Sequence, residues 1–127
     1  MLLLDSQAAL WVMSGSSRLG PEARSAIARS TVTHVSVASI WELTIKAMLG
    51  RLDLPDGFAG RVVEQGLALL DVTAEHAEAL RTFPELVRHD PFDRLIVAQA
   101  AVDGLTLVTA DRVLLDLGRD FVVDATA

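Results

Sequence analysis

Apolar positions along this chain fall into short runs that stop at a carboxylate or a turn, alternating with longer stretches of helical period. Leu2 to Leu4 read as a strand that ends at Asp5, and the residues from there to about Met13 read as a helix. A loop from Ser14 to Ser17 precedes a second helix starting near Pro21, a favoured first helical position. Val35 to Val37 predict another strand, followed by a helix from Ala38 to about Leu49 with Ile40, Leu43, Ile45 and Met48 among its apolar positions. Gly50 ends that helix, and Lys46 stands near its C-terminus, where the helix dipole prefers a cation. After the break at Leu54-Pro55, Phe58 to Leu69 predict a helix weakened by Gly60 and Gly66. Leu69 to Val72 then predict a strand, and Thr73 caps a helix running to about Arg81.

The stretch "HDPFDRLIVAQAAVDG" carries the sharpest local signal. Asp90 suits an N-cap, Pro91 the first helical position and Asp93 the third, and apolar residues then surround the helix until Gly104, so it is expected to be mostly buried. A strand over 105–108, a short helix after Asp111 and a final strand, Phe121 to Val123, complete the order. Strands alternating with helices predict an α/β fold with a parallel sheet covered on both faces. No repeat, low-complexity tract or long linker divides the chain, which predicts a single domain over residues 1–127.

Composition narrows the chemistry. No apolar run approaches the roughly 20 residues that span a bilayer, and no basic segment precedes a cleavage site, so a soluble, cytoplasmic protein with no membrane association is expected. Without cysteine there are neither disulfides nor thiolate zinc sites, and His34, His76 and His89 lack metal-ligand spacing. Any metal is therefore expected to be bound through oxygen, with His89 a loop residue beside Asp90. The net charge of −6 argues against coating nucleic acid by bulk electrostatics but leaves room for a local basic rim. All the basic residues but Lys46 are arginine, a bias that suits bidentate contacts to phosphate or carboxylate.

In open parallel sheets, ligands bind beyond the carboxyl ends of the strands. Asp5 ends the first strand, Asp111 lies just past a later one, Glu42 is about one turn into the helix after the second, and Asp93 is in the first turn of the buried helix. Four acids would thus crowd one edge, tolerable as anions only with cations among them; Mg²⁺ or Mn²⁺ suits such oxygens. Each also has a plainer reading: Asp5 and Asp111 as N-caps, Asp93 as a dipole-compensating acid, Glu42 as a solvent-facing residue beside Trp41. Asp90 is assigned mainly to capping. Thr109, Ser6 and Ser39 are hydroxyls placed to orient an acid or a metal-bound water, or are simple caps. Arg94 and Arg112 flank two of the acids and could meet phosphate or pair with the carboxylates.

Together, "LLLDSQAALW", "VSVASIWELTIK", "HDPFDRLIVAQA" and "GLTLVTADRVL" resemble the PIN domain, and within it the VapC-type ribonuclease toxins of toxin–antitoxin pairs. The likeness spans almost the whole chain. It implies a three-layer α/β/α sandwich with a central, mainly parallel sheet, and metal-binding, catalytic roles for Asp5, Glu42, Asp93 and Asp111. Thr109 matches the family's usual hydroxyl, and Ser39 a frequent serine before the tryptophan-glutamate pair. Where relatives often read Asp-Thr-His-Ala, this chain reads Asp5-Ser6-Gln7-Ala8, so the histidine is lost and a hydroxyl kept.

The expected activity is Mg²⁺- or Mn²⁺-dependent hydrolysis of RNA phosphodiesters, through a metal that activates water and neutralises phosphoryl charge. RNA would be drawn by a basic rim including Lys46, Arg94 and Arg112, or by a dimer groove. The resemblance further implies a homodimer and a cognate antitoxin whose C-terminal segment lies across the groove, with Trp11 and Trp41 as candidate contacts or core residues. Two other readings are a PIN-like module that only binds RNA or protein and a phosphoacceptor receiver domain. A receiver would need adjacent acids after its first strand and a lysine after its last, and neither is present.

Overall fold

Five short strands, Leu2–Leu4 (β1), Thr33–Ser36 (β2), Ala68–Leu70 (β3), Thr106–Thr109 (β4) and Val122–Asp124 (β5), pair into one sheet in the order β3-β2-β1-β4-β5. The structure is a computed structural model that describes residues 1–127. Every pairing is parallel, with β1 at the centre: Leu4 faces Val35 of β2 on one side and Val108 of β4 on the other. Parallel strands need crossovers, and helices supply them: Ser6–Ser14 (α1), Pro21–Arg29 (α2), Val37–Met48 (α3), Phe58–Glu64 (α4), Ala74–Glu78 (α5), Pro91–Asp103 (α6) and Arg112–Leu115 (α7).

Strand alternation sorts the core into two layers. Leu2, Leu4, Val35 and Val108 pack with Ala8, Trp11, Leu43, Phe58 and Val62 on one face of the sheet. Leu3 and Leu107 point the other way, into Phe83, Leu86, Ile96, Val97, Ala100 and Leu114. The outcome is the expected α/β/α sandwich, and its sheet is wholly parallel. Buried on both faces, β1 has no polar residue along its length, which is why it reads as a continuous apolar run rather than an alternating one.

Several boundaries differ from the sequence expectation, each for a local reason. Val37 begins α3 instead of ending β2, because the Ser36 side chain accepts the Ala38 N–H at 3.1 Å and caps the helix there. The helix expected over 58–69 stops at Glu64, and Gly66 turns the chain at φ 87°. β3 covers Ala68–Leu70 rather than Leu69–Val72, since Asp71 and Val72 lead into the Thr73–His76 capping box. The helix expected to reach Arg81 loses α geometry after Glu78 and continues as a 3₁₀ turn, Ala79–Thr82, with a second at Pro84–Leu86. Leu105 is not yet strand because its N–H still closes the end of α6 on the Ala100 carbonyl. The last strand is likewise one residue later than Phe121 to Val123. By contrast Asp90, Pro91 and Gly104 bound α6 as their chemistry predicts, with Asp90 accepting the Phe92 and Asp93 N–H groups.

Leu107 is fully buried between β4 and the α6 layer, so Leu107→Ala is expected to cost about 2–5 kcal/mol. Urea unfolding should show a lower midpoint at unchanged slope. Met48, 82% exposed, serves as the contrast: Met48→Ala should shift stability by no more than about 0.5 kcal/mol.

Candidate active site

The two ladders on either side of β1 bring its carboxyl end against that of β4. The Asp5 N–H donates to the Val108 carbonyl at 3.1 Å, extending the pairing one residue past the strand, so Asp5 and Thr109 stand side by side. Asp5 then uses its two carboxylate oxygens differently. Oδ1 accepts the Ala8 N–H at 2.8 Å and caps α1, while Oδ2 accepts the buried Thr109 hydroxyl at 2.5 Å. Thr109 Oγ1 also accepts the Asp111 N–H at 3.0 Å, so one hydroxyl spaces two acids. Asp111 repeats the division: Oδ1 caps α7 through Val113 and Leu114, and Oδ2 is left facing His89 Nε2 at 3.6 Å. Capping and site were competing readings of these aspartates; in the fold each caps its helix and also lines the groove shared with the other acids.

Glu42 approaches from α3. It is buried, its Oε1 accepting the Ser6 hydroxyl at 2.5 Å and its Oε2 lying 3.0 Å from Lys46 Nζ one turn on, so the solvent-facing reading does not hold. Asp93 comes from the first turn of α6 and caps nothing; its Oδ2 lies 3.2 Å from His89 Nε2. Ser39, three residues before Glu42, is fully buried and its hydroxyl has no hydrogen-bond partner.

Asp5, Glu42, Asp93 and Asp111 line one groove of about 680 Å³, together with Ser6, Gln7 and Trp11. Its basic lining is Arg18, Lys46 and Arg51. Of the three cations expected at a rim, only Lys46 is there. Arg94 folds back to donate to the Val87 carbonyl at 2.8 Å, and Arg112 acts electrostatically on Asp124 at the end of β5. Arg18 and Arg51 sit in loops without a local motif, so nothing in the sequence singled them out. Trp11 belongs to the core, whereas Trp41 is 65% exposed and meets Phe92 edge-to-face at 5.5 Å between ring centroids.

His89 is the residue that sequence reasoning passed over. It is in the loop before α6, as expected, yet its ring joins Asp93 and Asp111 in a group whose donor atoms all lie within 4.8 Å of one another. The expectation that every donor would be oxygen therefore meets a nitrogen inside the cluster. The spacing of four residues to Asp93 was the available signal.

Charge crowding shows in the acids themselves. Burial, then the carboxylates of Asp111, Asp90, Asp5 and Glu42, push the Asp93 carboxyl up from 3.8 to about 8. Asp5 is also raised, chiefly by burial, against the lowering effect of the Thr109 and Ala8 hydrogen bonds. The donor set suits a hard divalent cation: four carboxylates converge, and Asp93 accepts no hydrogen bond except from the His89 side. A cation there would relieve the repulsion that holds protons on the site.

The PIN domain family model matches residues 2–120 of the chain. No curated protein matches the sequence. Among solved structures, a toxin–antitoxin complex from Klebsiella pneumoniae is similar at TM-score 0.66 and 18% identity, over 97% of this chain and 96% of that one. VapBC2 from Rickettsia felis, bound to a DNA fragment from its promoter, is similar at TM-score 0.67 and 14% identity, over 97% of both chains. DNA-bound VapBC from Salmonella typhimurium is similar at TM-score 0.64 and 21% identity, over 98% of both.

Two outcomes are expected of the site's electrostatics. Between the ordinary 3.8 and about 8, the folded state keeps protons that the unfolded chain releases, so stability falls as pH rises through that window. Thermal melts in chelator should therefore give lower Tm at pH 8 than at pH 5, and Asp93→Asn should flatten the trend. Thr109→Val leaves the Asp111 N–H and an Asp5 oxygen without their partner in a buried position, a loss of about 1–3 kcal/mol in chemical denaturation.

Proposed function

This chain belongs to the PIN domain family, and on that premise we propose that it is a divalent-metal-dependent endoribonuclease, the toxin of a cytoplasmic toxin–antitoxin pair. The observation that carries the proposal is the convergence of Asp5, Glu42, Asp93 and Asp111, from four separate parts of the chain, on one groove with a basic lining. The strand order argues against a receiver domain, in whose flavodoxin-like sheet β1 lies between β2 and β3; here it lies between β2 and β4.

The residues have separable tasks in this reading. Asp5, Asp93, Asp111 and Glu42 would hold Mg²⁺ or Mn²⁺, which when bound would supply Lewis-acid polarisation of the phosphoryl oxygens and a lowered pKa for water. Thr109 aims Asp5, and Ser6 aims Glu42, through the hydrogen bonds described above. Both hydroxyls are buried with their protons given to carboxylates, so neither is presented to substrate as a nucleophile. Lys46 keeps Glu42 paired with a cation and, with Arg18 and Arg51, offers the phosphate backbone an approach into an otherwise acidic groove. The likeness to toxin–antitoxin complexes supports a protein partner, which we place across this groove; exposed Trp41, edge-to-face with half-buried Phe92, is the contact we assign to it, with Trp11 set aside as core. A homodimer remains part of the proposal, checked by light scattering.

The test is incubation of total RNA with the protein and its Asp93→Asn variant in Mg²⁺, in Mn²⁺ and in EDTA. Discrete cuts that need the metal are expected, with cleavage by the variant reduced beyond the roughly 10–100-fold typical of losing an outer-sphere partner of a metal ligand. A folded, metal-loaded protein that leaves all RNA intact would instead indicate a binding module. For a single-stranded RNA, three phosphate contacts predict a slope of about −2 in log affinity against log salt, and Arg51→Ala should reduce it by about 0.7. A flat salt dependence would remove the basic lining from the account.

A further inference from the structure

His89 is held where it stands by several constraints that do not involve the acids. Leu86, fully buried in the α6-side core, anchors the 3₁₀ turn ahead of it, and the His89 N–H closes on the Leu86 carbonyl at 2.9 Å. Arg94 reaches back from α6 to the Val87 carbonyl at 2.8 Å, and Asp90 locks the following residue to the helix as its N-cap. A side chain on a loop tied at both ends is preorganised, which is what a ligand position requires. The other histidines are committed elsewhere: His34 Nδ1 to the Leu2 carbonyl, and His76 to Thr73 and Asp103.

The distances around the ring fit coordination. Ligands about 2.1 Å from one ion stand about 3.0–3.4 Å apart when adjacent in octahedral or tetrahedral geometry. His89 Nε2 lies 3.2 Å from Asp93 Oδ2, inside that range, and 3.6 Å from Asp111 Oδ2, a little beyond it. Neither of those carboxylate oxygens accepts a hydrogen bond from any other group, whereas both oxygens of Asp5 and of Glu42 already have a partner. His89 Nε2 faces Asp93 Oδ2, and Nδ1 makes no hydrogen bond within the chain, so Nδ1 is free to carry the ring proton when Nε2 gives its lone pair to a cation.

We propose that His89 is a nitrogen ligand in the cation site of this groove, shared with Asp93 and Asp111, so that the site selects Mn²⁺ and the later first-row divalent ions over Mg²⁺. The inference rests on the metal-dependent reading above and goes beyond its acid-only ligand set. Mg²⁺ favours all-oxygen ligation, while imidazole raises affinity progressively along the first-row series. His89 thereby sets the discrimination between them, and the acids set the charge.

Electron spin-echo spectroscopy of Mn²⁺ bound to the protein reads the ligand directly, because a coordinated imidazole imprints ¹⁴N modulation on the manganese signal. Wild type is expected to show that modulation, and His89→Ala to lose it with near-UV circular dichroism unchanged. In parallel titrations, His89→Ala should weaken Mn²⁺ by about tenfold or more and change Mg²⁺ by less than about threefold. Bound Mn²⁺ without ¹⁴N coupling in wild type, or coupling that survives in His89→Ala, overturns the assignment and leaves His89 as a hydrogen-bond partner of Asp93. Equal losses of Mn²⁺ and Mg²⁺ would also overturn the claim of selectivity. If wild type binds no divalent ion, this assignment falls together with the metal-dependent ribonuclease reading, whereas binding without coupling sinks the assignment alone.

Discussion

The rest of the site is organised around one electrostatic constraint: four carboxylates are brought to a single edge of a sheet where little water can solvate them. Burial and mutual repulsion hold the Asp93 carboxyl up to about 8. A fold tolerates such a cluster only by giving each member something to offset its charge. Asp5 has the Thr109 hydroxyl and the N-terminus of α1, Asp111 the N-terminus of α7, Glu42 the Ser6 hydroxyl and Lys46, and Asp93 the His89 ring. The compensation is least complete at Asp93 and Asp111, whose outer oxygens have only the His89 ring beside them.

The parallel sheet makes this arrangement possible without loss of secondary structure. With β1 between β2 and β4, the chain leaves the sheet in opposite directions on either side of β1 and β4, opening a crevice at their carboxyl ends. Helix N-termini face that crevice and need capping, and aspartate is among the best caps. Asp111 spends one oxygen on its helix and leaves the other facing His89, whereas Asp5 gives its second oxygen to the Thr109 hydroxyl. Helix capping thus places Asp5 and Asp111 at the groove, so the same residues that stabilise α1 and α7 also line it.

The elements that bound the groove differ in how firmly the sequence announced them. Asp90, Pro91 and Gly104 delimit α6 through interactions within a few residues, so their pattern was sufficient. The convergence of Asp5, Glu42, Asp93 and Asp111 was also legible, because a carboxylate just beyond an apolar run marks the carboxyl end of a strand. Less legible were Val37, where a serine cap overrode a strand-forming residue, and the helix expected over 58–69, which Gly66 cut short. Both depend on backbone geometry that a hydropathy pattern averages away.

The sequence by itself determined the alternation of strands and helices, the apolar character of the central strand and the identity of the acids, because each follows from local periodicity or capping. Only the tertiary structure decided which cations enter the groove. Arg94 and Arg112 adjoin acids in sequence but are directed elsewhere, while Arg18 and Arg51 reach the groove from distant loops. His89 likewise became part of the cluster through the turn anchored by Leu86 and the clamp from Arg94. Long side chains on loops take their direction from what the rest of the chain packs around them, and that information is held in contacts between residues far apart in sequence.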